Sequence, residues 1–141
     1  MSGLGKAELY AFIVAHRYGV VATTHADGSS QSALVGIAVS PGLEIYFDTV
    51  GDTRKGQNLR RDPRVSMVIG WENEQSLQLE GIADEPKGSE LEQLKLVYYA
   101  AWPDGPGRES WPGITWVRIK PHWIRLSDFN RAAGAVRELT L

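Results

Sequence analysis

The chain contains no cysteine. That excludes disulfides, thiolate metal sites and a cysteine nucleophile, and it fits a reducing compartment. Histidine is scarce as well: His16, His25 and His122 are too scattered to read as metal ligands, so no metal site is expected. Charge of one sign does not dominate, because 15 Lys and Arg stand against 17 Asp and Glu for a net charge of −2. A broad nucleic-acid-binding surface usually raises the pI well above neutrality, so no nucleic acid partner is expected and any anion site has to be local. No apolar run approaches the roughly 20 residues of a membrane span, and no charged-then-apolar leader opens the sequence. A cytoplasmic protein with no membrane partner is the expectation. Internal repeats and low-complexity segments are lacking too.

What is present is enough apolar material for one core: 141 residues, 43% of them hydrophobic. One domain spanning residues 1–141 is expected, with residues 130–141, around Ala132-Ala133-Gly134-Ala135, as a loosely held tail. Leu9, Phe12, Ile13 and His16 recur at helical spacing, which predicts a short helix from Lys6 to Arg17. Tyr18 to Thr24 is rich in β-branched and aromatic residues, and the turn His25-Ala26-Asp27-Gly28 leads into a second arm, Ser30 to Val39. A third strand is expected at Leu43 to Asp48, a polar helix at Arg54 to Arg61, and strands at Val65 to Trp71 and Leu77 to Ala83. Lys87 to Ala101 places Leu91, Leu94, Tyr98 and Ala101 on one helical face. Two last strands are predicted at Ile114 to Lys120 and Trp123 to Leu126, with a bend at Pro121 between them. About seven short strands, peripheral helices and no βαβ rhythm predict a mostly β fold, an antiparallel barrel.

Five of the basic residues, Arg54, Lys55, Arg60, Arg61 and Arg64, fall within one short stretch of a slightly acidic chain, where uniform scatter predicts about one. Thr53 is a good N-cap, which leaves the first amides of the following helix pointing outward beside Arg54 and Lys55. Unpaired N–H groups, the helix dipole and two cations suit an anion such as phosphate. A solvated basic helix face is the competing reading.

Tyr46-Phe47 at a strand end, Thr53-Arg54-Lys55-Gly56 with Asn58-Leu59, and Asp62-Pro63-Arg64-Val65-Ser66 follow the Asp27-Gly28 hairpin in order. In these motifs and their spacing, from about Tyr18 to Ala83, the chain resembles the pyridoxamine 5′-phosphate oxidase-like, FMN-binding split-barrel superfamily. Val117-Arg118-Ile119-Lys120-Pro121 is similar to that family's final strand pair. The resemblance implies a Greek-key-like split barrel of about six to seven antiparallel strands, and FMN as cofactor. It implies that Arg54 and Lys55 grip the FMN phosphate, with Thr53 assisting and Thr49 near the ribityl chain or phosphate. Asn58 belongs to the same implied site. The strand carrying Val35 and Gly36 lines the flavin ring by implication, its even face (Ser32, Leu34, Gly36, Ala38) being small enough for a flat ring, although a mid-strand glycine equally marks close sheet packing. The resemblance also implies a homodimer with flavin sites at the interface, where Gln75 and Ser76 reach the partner's flavin or serve only as turn residues.

Basic residues on the oxidases' ring-lining strand align with Ala33 and Ala38, and the oxidases' C-terminal substrate-binding tail has no counterpart after Leu126. Oxidation of pyridoxamine phosphate is therefore not expected, since a second phosphate lacks its cations. A flavin-dependent oxidoreductase of unknown substrate is the leading expectation, with catalytic residues unassigned. The alternatives are an F420-dependent reductase, whose cofactor has an acidic tail suited to Arg60, Arg61 and Arg64, and a non-catalytic flavin or haem carrier or sensor. Trp102, Trp111, Trp116 and Trp123, with Tyr98 and Tyr99, are read either as pocket walls or as packing. Arg108 and Arg118 are read either as binders of an acidic substrate or as surface pairs.

Overall fold

The computed structural model describes residues 3–141. The chain runs α1 (Lys6–Ala15), β1 (Tyr18–Thr24), β2 (Ser30–Gly36), β3 (Ala38–Val39), β4 (Ile45–Val50), α2 (Arg54–Arg61), β5 (Arg64–Ile69), β6 (Gln75–Asp84), α3 (Gly88–Ala101), a 3₁₀ turn (Gly105–Arg108), β7 (Ile114–Asp128) and β8 (Val136–Thr140). The strands form one curled antiparallel sheet in the order β2-β1-β5-β6-β7-β4-β3, with β8 paired to β7. The mostly β, antiparallel architecture expected from the sequence is what the chain adopts.

Alternation decides what is inside. In β5 the buried residues are Val65, Met67 and Ile69, and in β6 Leu77, Leu79 and Ala83, so one face of each strand packs on the core and the other faces outward. Phe47, Ile45, Ile119 and Ile124 complete that interior. Leu9 and Ile13 of α1 and Leu94 and Tyr98 of α3 are buried against it, as the helical spacing predicts.

Three expectations are corrected. Residues 130–141 are not a loose tail: β8 pairs Trp123↔Thr140 through Ser127↔Val136, and Arg137 reaches α1 to bond Glu8 at 2.6 Å. Pro121 does not separate two strands either. β7 is continuous through it because its partner β6 shifts register between Glu80 and Gly81, and a Cβ at Gly81 would lie 2.5 Å from the Lys120 carbonyl oxygen. Conversely, the arm Ser30 to Val39 is not one strand. It breaks at Ile37, whose N–H turns to the Arg17 carbonyl at 2.9 Å, and Ala38 restarts as β3 against Tyr46.

Candidate functional site

α2 begins where β4 ends, and the junction is built from backbone contact. A Cβ at Gly56 would sit 2.7 Å from the Gly51 carbonyl oxygen, so glycine at that position lets the first turn of α2 press on the preceding loop. Thr53 caps the helix: its Oγ1 accepts from the Gly56 N–H at 3.4 Å and donates to the Val50 carbonyl at 2.7 Å. With that proton committed, the Thr49 hydroxyl, 3.2 Å away and buried, is the donor to Thr53 Oγ1. Thr49 and Thr53 thus fix the start of the helix.

The basic cluster divides in two. Arg60 bonds Glu85 at 3.0 Å and the Gly51 carbonyl, Arg61 bonds the Thr24 carbonyl and Asn58, and Arg64 pairs with Asp62 at 2.8 Å. The Arg64 guanidinium holds the Asp62 carboxyl at about 2, below the usual carboxylate range. Arg54 and Lys55 alone in the cluster have no hydrogen-bond or ion-pair partner among the described residues. Together with Thr53 they line a cleft of about 400 Å³, whose opposite wall is Val21 and Thr23 of β1 and Gln31, Ser32 and Ala33 of β2. That is within the size range of small-molecule sites.

Asn58 lies beneath this cleft, 1% exposed. Its Nδ2 donates to Thr23 Oγ1 and to Gln31 Oε1, each at 2.9 Å, and its Oδ1 accepts from Arg61. Both amide hydrogens are consumed in joining α2 to β1 and β2, so Asn58 ties the helix to the facing wall of the cleft. Gln31, which sequence reasoning missed, keeps its own NH₂ group for the cleft.

The even face of β2 contributes only Ser32 to the cleft. Val21 pairs with Ala33 and Thr23 with Gln31, and directly opposed residues share a face, so the odd residues Gln31 and Ala33 continue the β1 wall. Leu34 is 62% exposed on the other side, and Val35 is a core residue. Gly36 leaves no open space for a ring: a Cβ there would meet the Trp102 indole at 2.6 Å, which makes it the close-packing glycine of the two readings. Ala38, on β3, is separate from Ala33. Gln75 and Ser76 begin β6, whereas α2 meets the far end of that strand near Ala83 and Asp84, about 30 Å along at strand rise. Within one copy they do not join the cleft, and Gln75 bonds Asp128 at 3.2 Å.

The tryptophans do not form one wall. Trp102 lies under Arg17 and donates to the Ile37 carbonyl, Trp116 under Lys95, and Trp123 against Arg125 and Glu138, while Trp111 is half exposed. Arg108 is clasped by Asp48 at 2.8 Å and Asp104 at 2.7 Å, and Arg118 by Asp84 at 2.6 Å, so both cations are neutralised internally. Burial and the Asp48 carboxylate push the Tyr98 hydroxyl's pKa well up, leaving that phenol a donor to Asp48. Among the described residues there is no group of acidic, histidine or cysteine side chains able to hold a metal, and no helix is long and apolar enough to cross a membrane.

Known proteins agree with this geometry at the level of family and fold. No curated protein sequence matches the chain. A haem-binding protein from Mycobacterium smegmatis superposes with a TM-score of 0.83 at 20% identity, covering 99% of this chain and 60% of its own, so the chain spans about three-fifths of that relative. A conserved hypothetical protein, Rv2991, from Mycobacterium tuberculosis gives 0.73 at 27% identity over 89% and 85% of the two chains. HutZ, the haem storage protein of Vibrio cholerae, gives 0.72 at 16% identity over 82% and 88%. The family model described as pyridoxamine 5′-phosphate oxidase matches residues 6–128. With that match over most of its length, and with a curled antiparallel sheet of the same kind, the chain belongs to the pyridoxamine 5′-phosphate oxidase-like split-barrel family.

Proposed function

We propose that the chain binds FMN, with the phosphate on Arg54 and Lys55 at the start of α2, and works as a flavin-dependent oxidoreductase on a substrate other than pyridoxamine phosphate. The observation that carries this reading is the division of the basic cluster. Arg60 and Arg64 are paired with carboxylates and Arg61 is hydrogen-bonded to Thr24 and Asn58, while the two cations at the helix start stand unpaired on a cleft. Such a site suits one phosphate. The Gln31 amide is placed to hydrogen-bond a polar edge of the ring system, and Val21 and Ala33 give an apolar, low wall beside it. FMN, when bound, supplies hydride and one-electron chemistry of its own, so the protein's part is to bind, orient and exclude water. Ala33 offers no cation in the cleft, which argues against a second phosphate there.

The same division counts against F420, because Arg60, Arg61 and Arg64 already bond groups of the chain itself, which an acidic tail would have to displace. Haem is the second reading, favoured by the haem-binding protein and the haem storage protein that share the fold. Titrating the purified chain with FMN, F420 and haem, and following the visible spectrum, separates the three. Saturable binding of FMN, with bleaching by NADH or NADPH and reoxidation by an added acceptor, is expected. Binding of haem alone would shift the assignment to a carrier or sensor, and a protein that binds none of them ends the cofactor reading.

The proposal includes a homodimer. Leu34, Val20 and Val68 are neighbours across β2, β1 and β5 on the outward face, with Leu34 62% and Val68 38% exposed. An apolar row of this kind suits burial against a second copy, and it would let Gln75 and Ser76 approach the partner's flavin. Leu34→Glu is expected to convert a dimer to a monomer in analytical ultracentrifugation. A wild-type chain that sediments as a monomer while holding flavin contradicts the dimer.

A further inference from the structure

A second cleft, of about 540 Å³, opens between α1, β3 and α3 and shares no lining residue with the one at α2. α1 contributes Tyr10, Ile13 and Val14 from one helical face. α3 contributes Leu96 and Val97 and, one turn later, Ala100 and Ala101, whose small side chains leave room beside them. On its rim Val14 is 53% and Leu96 67% exposed. Scattered exposed apolar side chains are ordinary, but two on the lip of one concave apolar surface are what a ligand site presents.

One charged residue lines this cleft, Arg17. Its guanidinium donates to the Ala101 carbonyl at 2.6 Å and lies 4.1 Å over the Trp102 ring, so it is held in place. No carboxylate pairs with it among the described residues: Asp104, which feels its charge, is itself bound by Arg108 at 2.7 Å. An apolar wall alone accepts any hydrophobe, whereas a fixed cation without a counter-ion selects an anionic head.

We propose that this cleft binds a small amphipathic carboxylate, its apolar body between α1 and α3 and its carboxylate on Arg17, independently of the flavin site. Calorimetric titration of the full chain with sodium decanoate below its micelle concentration, with and without FMN, tests this against decanol. Saturable decanoate binding is expected, unchanged by FMN and at least about tenfold tighter than decanol. Arg17→Gln is expected to erase that preference and Ala100→Trp to abolish binding of both, each with an unchanged circular dichroism spectrum. The proposal is overturned by absence of saturable binding, by equal affinity for decanoate and decanol, or by a folded Arg17→Gln variant that keeps the preference. Loss of decanoate binding on replacing Arg54 and Lys55 would place the ligand in the flavin cleft instead and also overturns it. So does a Leu96→Glu variant that dissociates a dimer, since a second copy then covers this face. Should Ala100→Trp fail to fold, Arg17→Gln decides.

Discussion

Replacing Arg54 and Lys55 together by alanine is expected to weaken FMN binding by at least about 2 kcal/mol, thirtyfold or more. Hydrogen bonds to charged groups contribute roughly 1.5–3 kcal/mol each, and neither side chain has a second role in the fold that would keep the phosphate site intact without it. Flavin fluorescence quenching at two salt concentrations is the measurement. Affinity should fall with salt in the wild type and lose most of that dependence in the double variant, because partly exposed charges are screened. Arg60→Ala is the control: its guanidinium serves Glu85, Gly51 and Thr115, so its loss should lower stability more than affinity. An unchanged affinity in a folded double variant removes the phosphate from this site.

Asn58→Ala is expected to destabilise the fold by about 2–3 kcal/mol. The truncation leaves Thr23 Oγ1 and the Gln31 carbonyl without their donors and opens a cavity in a fully buried position. Urea unfolding should show a lowered midpoint at constant slope, the mark of a changed stability rather than a changed unfolded state. Flavin affinity should fall as well, since the helix start is no longer tied to β1 and β2, but saturating FMN should recover part of the lost stability. A variant as stable as the wild type would mean that α2 is held mainly by Gly56 and the Thr53 cap.

How much of this was legible depends on whether the information is local. The Thr53 cap, the two cations after it and the glycine of the first turn all lie within one helical turn, and the structure does place Thr53, Arg54 and Lys55 together on one cleft. The face of β2 was not legible, because Ser32, Leu34 and Gly36 on one side and Ala33 and Val35 on the other are all small or apolar. Only the register with Val21 and Thr23 of β1 decides which set turns inward. Gln31 was missed for the same reason. β8 was hidden by the Ala/Gly run before it, although Val136-Arg137-Glu138-Leu139-Thr140 does carry strand alternation. The separation of Arg54 and Lys55 from Arg60, Arg61 and Arg64 was beyond sequence altogether, since it depends on Glu85, Thr24 and Gly51 arriving from elsewhere in the fold.

The strand order has a consequence for the time course of folding. β4 pairs locally with β3 and β5 with β6, but the second partner of each is distant, β7 for β4 and β1 for β5, as in Ile45↔Ile119 and Gly19↔Ile69, so α2 links two hairpins that only long-range pairing brings together. Contacts of such high sequence separation form late and slowly. The cleft between the start of α2 and β1 and β2 therefore acquires its shape only late in the reaction. A cofactor held there should leave the refolding rate nearly untouched and act instead on escape from the native state, lengthening its lifetime.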